Sequence, residues 1–396
     1  MGTICINALS ENKNTEEAIK EILSDIENKI SNVSLPLAFG VIFCGPDHNL
    51  SYIIKEVSNL VNNETIIGCT TAGEFTDKKH IHNGVVIHLV FSDDMITHKI
   101  VVKGMSSNLL NVLRKLTEGF KEFRENCINR GYSNGYSLVL TDGMDPDGEA
   151  LISMLQTRTH IQHNFFGGAS GDEGRFKRTL VGDNILCDSD VVALIHIFSK
   201  KPFGIGVNHG LRQNSEIMTV TKATSNEIIT INNKPAFEVY KEYAQKKGIT
   251  LTEDNASEFF IKNELGIIRH GEVVKARAPL YAGNDGRIIC AGIILEGSQV
   301  AILDSEKEKL LEASKKAAEE AKKNAGIDSF SGILVFDCIC RETILQNQFP
   351  EEIKTIQNVF GNIPITGFLT YGEIAKYKGS LSGWHNTTAV VVAIPS

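Results

Sequence analysis

The chain has 396 residues, of which 42% are hydrophobic and 22% are charged, a balance typical of a globular protein with two or more domains. Its formal net charge of −8 argues against nucleic-acid binding and against docking on an anionic membrane, because both need a basic face. The sequence contains no apolar run of about 18 residues and no signal-peptide pattern at its start. It therefore predicts a cytoplasmic protein without membrane insertion.

The first half of the chain predicts a strand and an amphipathic helix over residues 1–30. Residues 36–199 then hold two strand–helix–strand–strand units, separated by a short strand and one helix at about residues 107–127. The segment 199–215 mixes proline, glycine and polar residues, which is typical of a boundary between domains.

The second half opens with strands of alternating polarity and a helix that begins at Pro235 and ends at Gly248. More strands follow, and then a long helix for which Asp304 or Ser305 is the predicted N-cap and Gly326 the C-cap. That helix leads into a third strand–helix–strand–strand unit.

These elements predict an α/β fold (mixed α+β) in two domains, built from the repeated units, with sheets flanked by helices. The predicted domains are residues 31–210 and 211–396. Residues 1–30 are expected to pack on the first domain.

The three units share one sequence motif, in which an apolar strand is followed by a glycine run and an acid. It stands at residues 66–74, 165–172 and 365–373, and the first and third copies have the same spacing from glycine to Gly-Glu. In each copy an apolar strand, a polar loop and a helix come before it, and a polar turn and another apolar strand come after it. This self-similarity predicts a duplicated module.

Glycine-rich strand exits expose backbone N–H groups and let a ligand approach closely. The acid after each run can accept from a ligand amine while the N–H groups bind a carboxylate, a pairing that suits an amino acid. The alternative is that the glycines form tight turns and the acids fasten their own loops. The candidate side chains in these exits are Thr70, Thr71, Glu74, Ser170, Asp172, Thr370, Tyr371 and Glu373.

Four acids crowd the loop TDGMDPDGE, and Asp142 is a candidate ligand-binding residue. The loop does not fit the calcium-binding EF-hand pattern, since its glycine and last glutamate are misplaced. N-caps and first-turn acids of the following helix are the other interpretation, with magnesium as a minor one. No metal site is predicted. The pair His80 and His82 suits a metal poorly unless another ligand joins it.

Two arginines at or near strand ends, Arg277 and Arg341, could hold a ligand carboxylate through paired hydrogen bonds. An internal salt bridge is the alternative for each. His385 and Asn386 precede the last strand and either line a pocket or fasten a loop.

Most of the eight cysteines lie in apolar segments and no CxxC pair occurs, which favours reduced, buried thiols. The sequence contains no GxSxG elbow, P-loop or HExxH motif. Cys69 and Cys338 could act as nucleophiles only beside a base and with a lowered pKa. An uncharacterised enzyme and an interaction-only scaffold stay open as alternatives.

Taken in order, several motifs resemble the FIST-domain family, in both its N-terminal and its C-terminal module. The N-terminal motifs are the first glycine-acid exit, the Asp-Gly pair at residue 142 and GGASGD. The C-terminal motifs are KPAFEVYKEY, the Glu-Gly pair at residue 296, Cys338-x-x-Arg341, TGFLTYGEI and WHNTT. Together they span roughly residues 31–393.

The resemblance implies a bacterial-type, non-catalytic sensory protein that binds a small polar ligand, such as an amino acid or a related metabolite. A separate signalling protein, such as a histidine kinase, would pass the signal on. One subfamily binds haem to sense nitric oxide and regulates a histidine kinase or a cyclic-dinucleotide enzyme, so haem is the alternative cofactor. The histidines considered as its axial ligand are His80, His82, His88, His98, His160, His163, His196 and His209.

Overall fold

A computed structural model describes residues 2–376 and 383–396, and it shows the predicted mixed α/β fold. The strands up to residue 208 are β1 (Thr3–Ser10), β2 (Leu37–Cys44), β3 (Ile66–Thr70), β4 (Glu74–Thr76), β5 (His80–Ile81), β6 (Val85–Ser92), β7 (Met95–Lys103), β8 (Asn134–Thr141), β9 (Asn164–Ala169), β10 (Val181–Gly182), β11 (Cys187–Asp188), β12 (Val191–Ser199) and β13 (Gly204–Asn208). The later strands are β14 (Arg212–Gln213), β15 (Met218–Thr224), β16 (Glu227–Ile231), β17 (Lys234–Pro235), β18 (Leu265–Arg269), β19 (Glu272–Arg277), β20 (Pro279–Ala282), β21 (Ile288–Cys290), β22 (Gln299–Asp304), β23 (Phe330–Cys338), β24 (Ile365–Thr370), β25 (Glu373–Lys376), β26 (Trp384–His385) and β27 (Ala389–Pro395). The α-helices are α1 (Thr15–Ile30), α2 (Leu50–Val61), α3 (Met105–Leu116), α4 (Phe120–Asn129), α5 (Gly148–Arg158), α6 (Ala236–Lys246), α7 (Ala256–Lys262), α8 (Lys307–Ala325), α9 (Ile339–Leu345) and α10 (Phe349–Phe360).

Three six-stranded sheets share one plan, and each contains one of the three repeated units. Their strand orders are β1-β6-β2-β3-β10-β11, β7-β12-β8-β9-β25-β26 and β13-β27-β23-β24-β4-β5. In each sheet the two central strands are parallel, and the unit's last long strand runs antiparallel beside the first of them. The repeat predicted from the glycine-acid exits is therefore confirmed as a repeat of structure.

The units exchange strands in a cycle. After its glycine-acid turn, the first unit sends β4 to the sheet of the third, the third sends β25 to the sheet of the second, and the second sends β10 to the sheet of the first. Each exchanged strand pairs antiparallel with the strand that ends at the next turn. The exchange therefore places all three turns side by side.

A fourth sheet, β19-β18-β22-β15-β16-β21-β20, is inserted in the chain between β13 and β23, two strands of the third six-stranded sheet. It has its own apolar core, in which Phe237 and Tyr240 of α6 pack against Phe260 of α7. The strand β20 and the residues after β21 face the loop that precedes α5, so the inserted sheet forms a cover over one side of the turns.

Several predicted helices are confirmed and two details differ. The helix expected at about residues 107–127 is two helices, α3 and α4, because the chain turns at Gly119, where φ is +67°. The long helix α8 ends at Gly326 in the left-handed conformation, as predicted, but its N-cap is Glu306 rather than Asp304 or Ser305. The domain bounds stay a prediction.

Candidate functional site

The three glycine-acid turns meet at one place, which we call the junction (residues 70–74, 169–173 and 369–373). Backbone hydrogen bonds join the turns in pairs: Leu369 N–H donates to Gly73 O at 2.8 Å, and Ala169 N–H donates to Gly372 O at 2.8 Å. The third pair is closed by Gly171 N–H, which donates to Thr70 O at 2.9 Å. Each turn thus contacts both of the others.

The glycines are needed because the turns approach so closely. A Cβ on Gly171 would lie 2.7 Å from the backbone nitrogen of Ala72, and one on Gly168 would lie 2.7 Å from Cγ2 of Thr370. Gly73 also adopts a φ of +152°, which side chains rarely tolerate. Packing between units therefore explains Gly73, Gly168 and Gly171, whereas Gly68 and Gly167 lie against the adjacent strand of their own unit.

The two glutamates of the junction hold equivalent positions. Glu74 accepts from the Thr71 hydroxyl and from Gly84 N–H at 3.1 Å, just before β6. Glu373 accepts from the Thr370 hydroxyl at 2.6 Å and from Thr388 N–H at 3.0 Å, just before β27. Each carboxyl thus fastens its turn to the start of the unit's last strand.

Burial controls the charge of both glutamates, which are fully buried. It raises the pKa of Glu74 to about 8, although the hydrogen bonds from Thr71 and Gly84 act in the opposite direction. It raises the pKa of Glu373 well above the usual range. At neutral pH Glu74 is therefore mainly protonated, and burial disfavours the charged form of Glu373 in the same direction.

Asp172 has a different environment. It accepts from the backbone N–H groups of Phe176, Lys177 and Arg178 at 2.8, 2.7 and 3.0 Å and from the Tyr371 hydroxyl. The carboxylate thereby shapes the loop that follows the second turn. The acids of all three turns thus hold their own loops in place, which was the alternative to binding a ligand amine.

Three other predicted side chains hydrogen-bond to neighbouring segments of the chain. The Thr70 hydroxyl accepts from Leu180 N–H at 2.9 Å, and that of Ser170 accepts from Gly143 N–H at 3.1 Å. Asp142 accepts from Met144 N–H, Asp190 N–H and the Thr179 hydroxyl. These contacts hold the exits of β3 and β8 in place.

Both predicted arginines are buried and form internal ion pairs. Nη2 of Arg277 donates to Glu149 Oε1 at 2.6 Å, and its Nε donates to Ile293 O at 3.0 Å. Arg341 contacts Asp337 and Glu352 at 3.0 Å through its Nε, and its other donors bond to carbonyl groups and to Ser314. The structure thus places the two arginines in the salt-bridge arrangement that was the alternative to carboxylate binding.

A cavity of about 200 Å³ lies beside the junction, between the loop that precedes α5 and the inserted sheet. Tyr371 and Asn386 are the members of the predicted set that line it. The other residues of its wall are Gly143, Met144, Asp145, Pro146, Glu149, Phe176, Asn226, Ala278, Leu280, Cys290, Ala291, Gly292, Cys338, Ile339, Cys340 and Trp384.

The polar side chains of this wall include the carboxyl groups of Asp145 and Glu149 and the amides of Asn226 and Asn386. Asn386 is 1% exposed, and its Oδ1 has no hydrogen-bond partner within the described chain. Burial raises the pKa of the Asp145 carboxyl to about 6. Within residues 2–376 and 383–396, no lysine or arginine lines the cavity. The cavity therefore suits a ligand that donates hydrogen bonds.

Sequence reasoning missed several residues of this wall. Asp145 stood in the acid-rich loop, but no pattern distinguished it from the neighbouring acids. Phe176 stacks on Tyr371 with ring centroids 4.7 Å apart, although it is 55% exposed and lies in a loop. Asn226 and Leu280 reach the cavity from the inserted sheet, so only the tertiary structure reveals them.

The histidines lie outside the described wall of the cavity. Nε2 of His385 contacts Ala375 O at 3.0 Å, and burial lowers the pKa of this histidine to about 3. His163 and His196 share a hydrogen bond with Ser137, each at 2.8 Å. Whether any histidine binds haem stays a prediction.

The two cysteines proposed as nucleophiles have thiols that resist ionisation. A hydrogen bond with Cys340, together with burial, raises the pKa of Cys338 well above its usual value. Burial also raises that of Cys69. A nucleophilic cysteine needs the opposite shift.

Comparison with protein families decides the relationship that the motifs suggested. The model of the FIST N domain matches residues 38–234, and that of the FIST C domain matches residues 236–376. The chain belongs to the FIST family. FIST domains are sensory modules of signal transduction and are typically not catalytic.

The FIST chain is also similar to an uncharacterised protein, MJ1623, of Methanocaldococcus jannaschii. The two are 23% identical over an alignment that covers 92% of this chain and 74% of the relative. Within the described residues, no helix is long and apolar enough to cross a membrane.

Proposed function

We propose that this FIST protein is a non-catalytic sensor that binds a small polar ligand with an amino group, such as an amino acid or a related metabolite, in the cavity beside the junction. The unpartnered Oδ1 of buried Asn386 carries the proposal. A buried carbonyl oxygen without a donor costs free energy, and a ligand N–H group that enters the cavity would supply that donor.

The composition of the wall supports the amino group. Asp145 adds a carboxyl group whose pKa is raised to about 6. The remaining surface is mainly apolar side chains, including Met144, Leu280 and Trp384. A volume of about 200 Å³ equals the share of roughly seven water molecules in the liquid. It is below the range of about 300–1,000 Å³ for drug-sized ligands, which favours a compact metabolite.

The position of the cavity supports a signalling role. Its wall combines Tyr371 of the third unit, Phe176 of the second unit and Ala278 of the inserted sheet. A ligand that contacts all three would favour one arrangement of these parts over others. Since the matched domains are sensory, the protein would pass this change to a separate partner such as a histidine kinase, measurable as a ligand-dependent change in autophosphorylation.

A thermal-shift and calorimetric screen tests the ligand. The panel pairs amino acids and amines with carboxylic acids of the same skeleton that lack the amino group. We expect stabilisation only by amino compounds, reaching about 2.7 kcal/mol at a ligand concentration of 100 Kd. Asn386→Leu and Asp145→Asn should each weaken binding at least about tenfold, as expected for a lost buried hydrogen bond.

Asp254→Asn is the matched control, because Asp254 is an exposed acid of the inserted segment. Its binding should equal that of the unaltered protein. Binding of the deaminated acids alone, or full affinity in both cavity variants, would contradict the proposal.

A further inference from the structure

A second cluster of side chains lies where the hairpin β4–β5 of the first unit meets helix α9 of the third. His80 and His82 belong to the hairpin and Glu342 to the helix. One donor atom from each of the three lies within 4.8 Å of the others. The hairpin reaches this helix only because β4 is exchanged into the third unit's sheet. Glu342 is thus the additional ligand that the pair of histidines needed.

We propose that His80, His82 and Glu342 form a binding site for a divalent transition-metal ion, with Zn²⁺ as the best match. Glu342 Oε1 lies 2.8 Å from Nε2 of His82 and 3.7 Å from Nε2 of His80. Donors that hold Zn²⁺ at about 2.1 Å in tetrahedral geometry are roughly 3.4 Å apart, which falls between these distances. Two imidazole nitrogens and one carboxylate oxygen are also a common zinc set, with the fourth position left to water.

The neighbours of the cluster orient both histidines as ligands. Both ring nitrogens of His82 contact carboxylates, Nδ1 with Glu173 Oε2 at 3.0 Å and Nε2 with Glu342 Oε1 at 2.8 Å. A metal ion would replace the proton on Nε2 and leave the Nδ1 proton bonded to Glu173. Metal-binding histidines usually donate their other N–H in this way. Glu173 is itself held by Asn83 N–H, which donates to its Oε1 at 2.6 Å.

His80 provides a possible metal-binding nitrogen that forms no hydrogen bond within the described chain. Its Nε2 is buried without a hydrogen-bond partner. Its ring packs against Phe349 with centroids 4.7 Å apart, which limits its rotation.

The site adjoins the cavity through two short connections. Ile339 and Cys340, in the first turn of α9, line the cavity, and Glu342 follows in the same helix. Glu173 precedes the loop that carries Phe176, another residue of the cavity wall. A bound ion would therefore fasten the hairpin of one unit to a helix that forms part of the cavity.

Calorimetric titration of the chelator-treated full chain with ZnCl₂ tests the site, and Co²⁺ absorption in the visible range reports the geometry. We expect one equivalent of Zn²⁺ to bind and Co²⁺ to give tetrahedral bands. Glu342→Gln and His82→Ala, which change partly exposed side chains, should each weaken Zn²⁺ binding more than tenfold. Glu173→Gln should weaken it by about 10- to 100-fold by releasing the His82 ring.

His98→Ala is the control, because His98 is exposed on β7 of the second sheet, away from the cluster. It should bind Zn²⁺ as the unaltered protein does, and circular dichroism should show that every variant is folded. The proposal is overturned if no stoichiometric binding occurs, if Glu342→Gln binds unchanged, or if His98→Ala loses binding equally.

Discussion

Tyr371 and Asp172 are 199 residues apart in the sequence and share a buried hydrogen bond, which the Tyr371 hydroxyl donates to the Asp172 carboxylate. The same hydroxyl accepts from Asp172 N–H at 3.3 Å and from Gly174 N–H at 2.9 Å. A single side chain of the third unit therefore fixes the turn of the second. Tyr371 also lines the cavity, so the cavity wall and the contact between units share one residue.

Tyr371→Phe should reduce the free energy of unfolding by about 1–3 kcal/mol, since buried hydrogen-bonding groups lose their partner. Stacking on Phe176 is retained, so the loss reports the hydroxyl alone. Urea unfolding measures it. Tyr281→Phe, at a tyrosine that is 55% exposed, should change stability by less than about 0.5 kcal/mol. Equal effects of the two substitutions would show that the hydroxyl of Tyr371 does not fasten the turn.

Glu74→Gln should flatten the fall in the free energy of unfolding between about pH 4.5 and pH 8. The pKa of Glu74 is about 8 in the folded protein and near the ordinary glutamate value of 4.5 when unfolded. Between these values the folded state holds more protons, so the free energy of unfolding falls as pH rises, by about 1.4 kcal/mol per pH unit. Below pH 4.5 both states are protonated and the contribution is fully present.

Gln cannot ionise, and its carbonyl oxygen can still accept from Gly84 N–H while its amide N–H donates to the Thr71 hydroxyl oxygen, so the variant should be more stable than the unaltered protein at pH 8 but not at pH 4.5. Urea unfolding at several pH values measures this difference. Glu27→Gln, at an exposed position of α1, is the control. A variant with the original pH slope would mean that Glu74 is ionised throughout this range.

Arg341→Met should lower the free energy of unfolding by about 3–5 kcal/mol, because it leaves Asp337 and Glu352 buried without their cation. Arg114→Met, on the exposed surface of α3, should cost less than about 0.5 kcal/mol. Chemical denaturation of both variants provides the comparison. If Arg341 served ligand binding instead, its loss would reduce affinity while stability stayed near that of the unaltered protein.

Titration with haem under reducing conditions tests the alternative cofactor. We expect no stoichiometric Soret band, because the cavity measures about 200 Å³ and its described wall contains no histidine. A sharp Soret band at one equivalent would instead support the gas-sensor alternative. Alanine substitution of the buried histidines, beginning with His163 and His196, would then locate the axial ligand.

Much of the local structure could be predicted from sequence patterns. The periodicity of residues 15–30 predicted α1, and Gly326 marked the end of α8 because only a residue that tolerates positive φ ends a helix in that way. Gly119 was overlooked inside a helical pattern, since glycine within a helix is only mildly unfavourable until packing decides. The glycine-acid exits identified the repeat correctly, although not the reason for their glycines.

The candidate site was less predictable, because its residues come from distant segments. Asn386 and Tyr371 were selected from motifs, whereas Asn226 and Asp145 join them only through the inserted sheet and the loop before α5.

The sequence by itself determined the family, the three repeated units and the type of each main element, because these depend on residue order and local periodicity. The tertiary structure decided how the units exchange strands, since β4, β10 and β25 pair with partners that no local pattern specifies. It also decided that His82 meets Glu342, 260 residues away. Long-range contacts of this kind depend on how whole sheets pack. Local sequence patterns therefore predict the helices and strands, but not which of them come into contact.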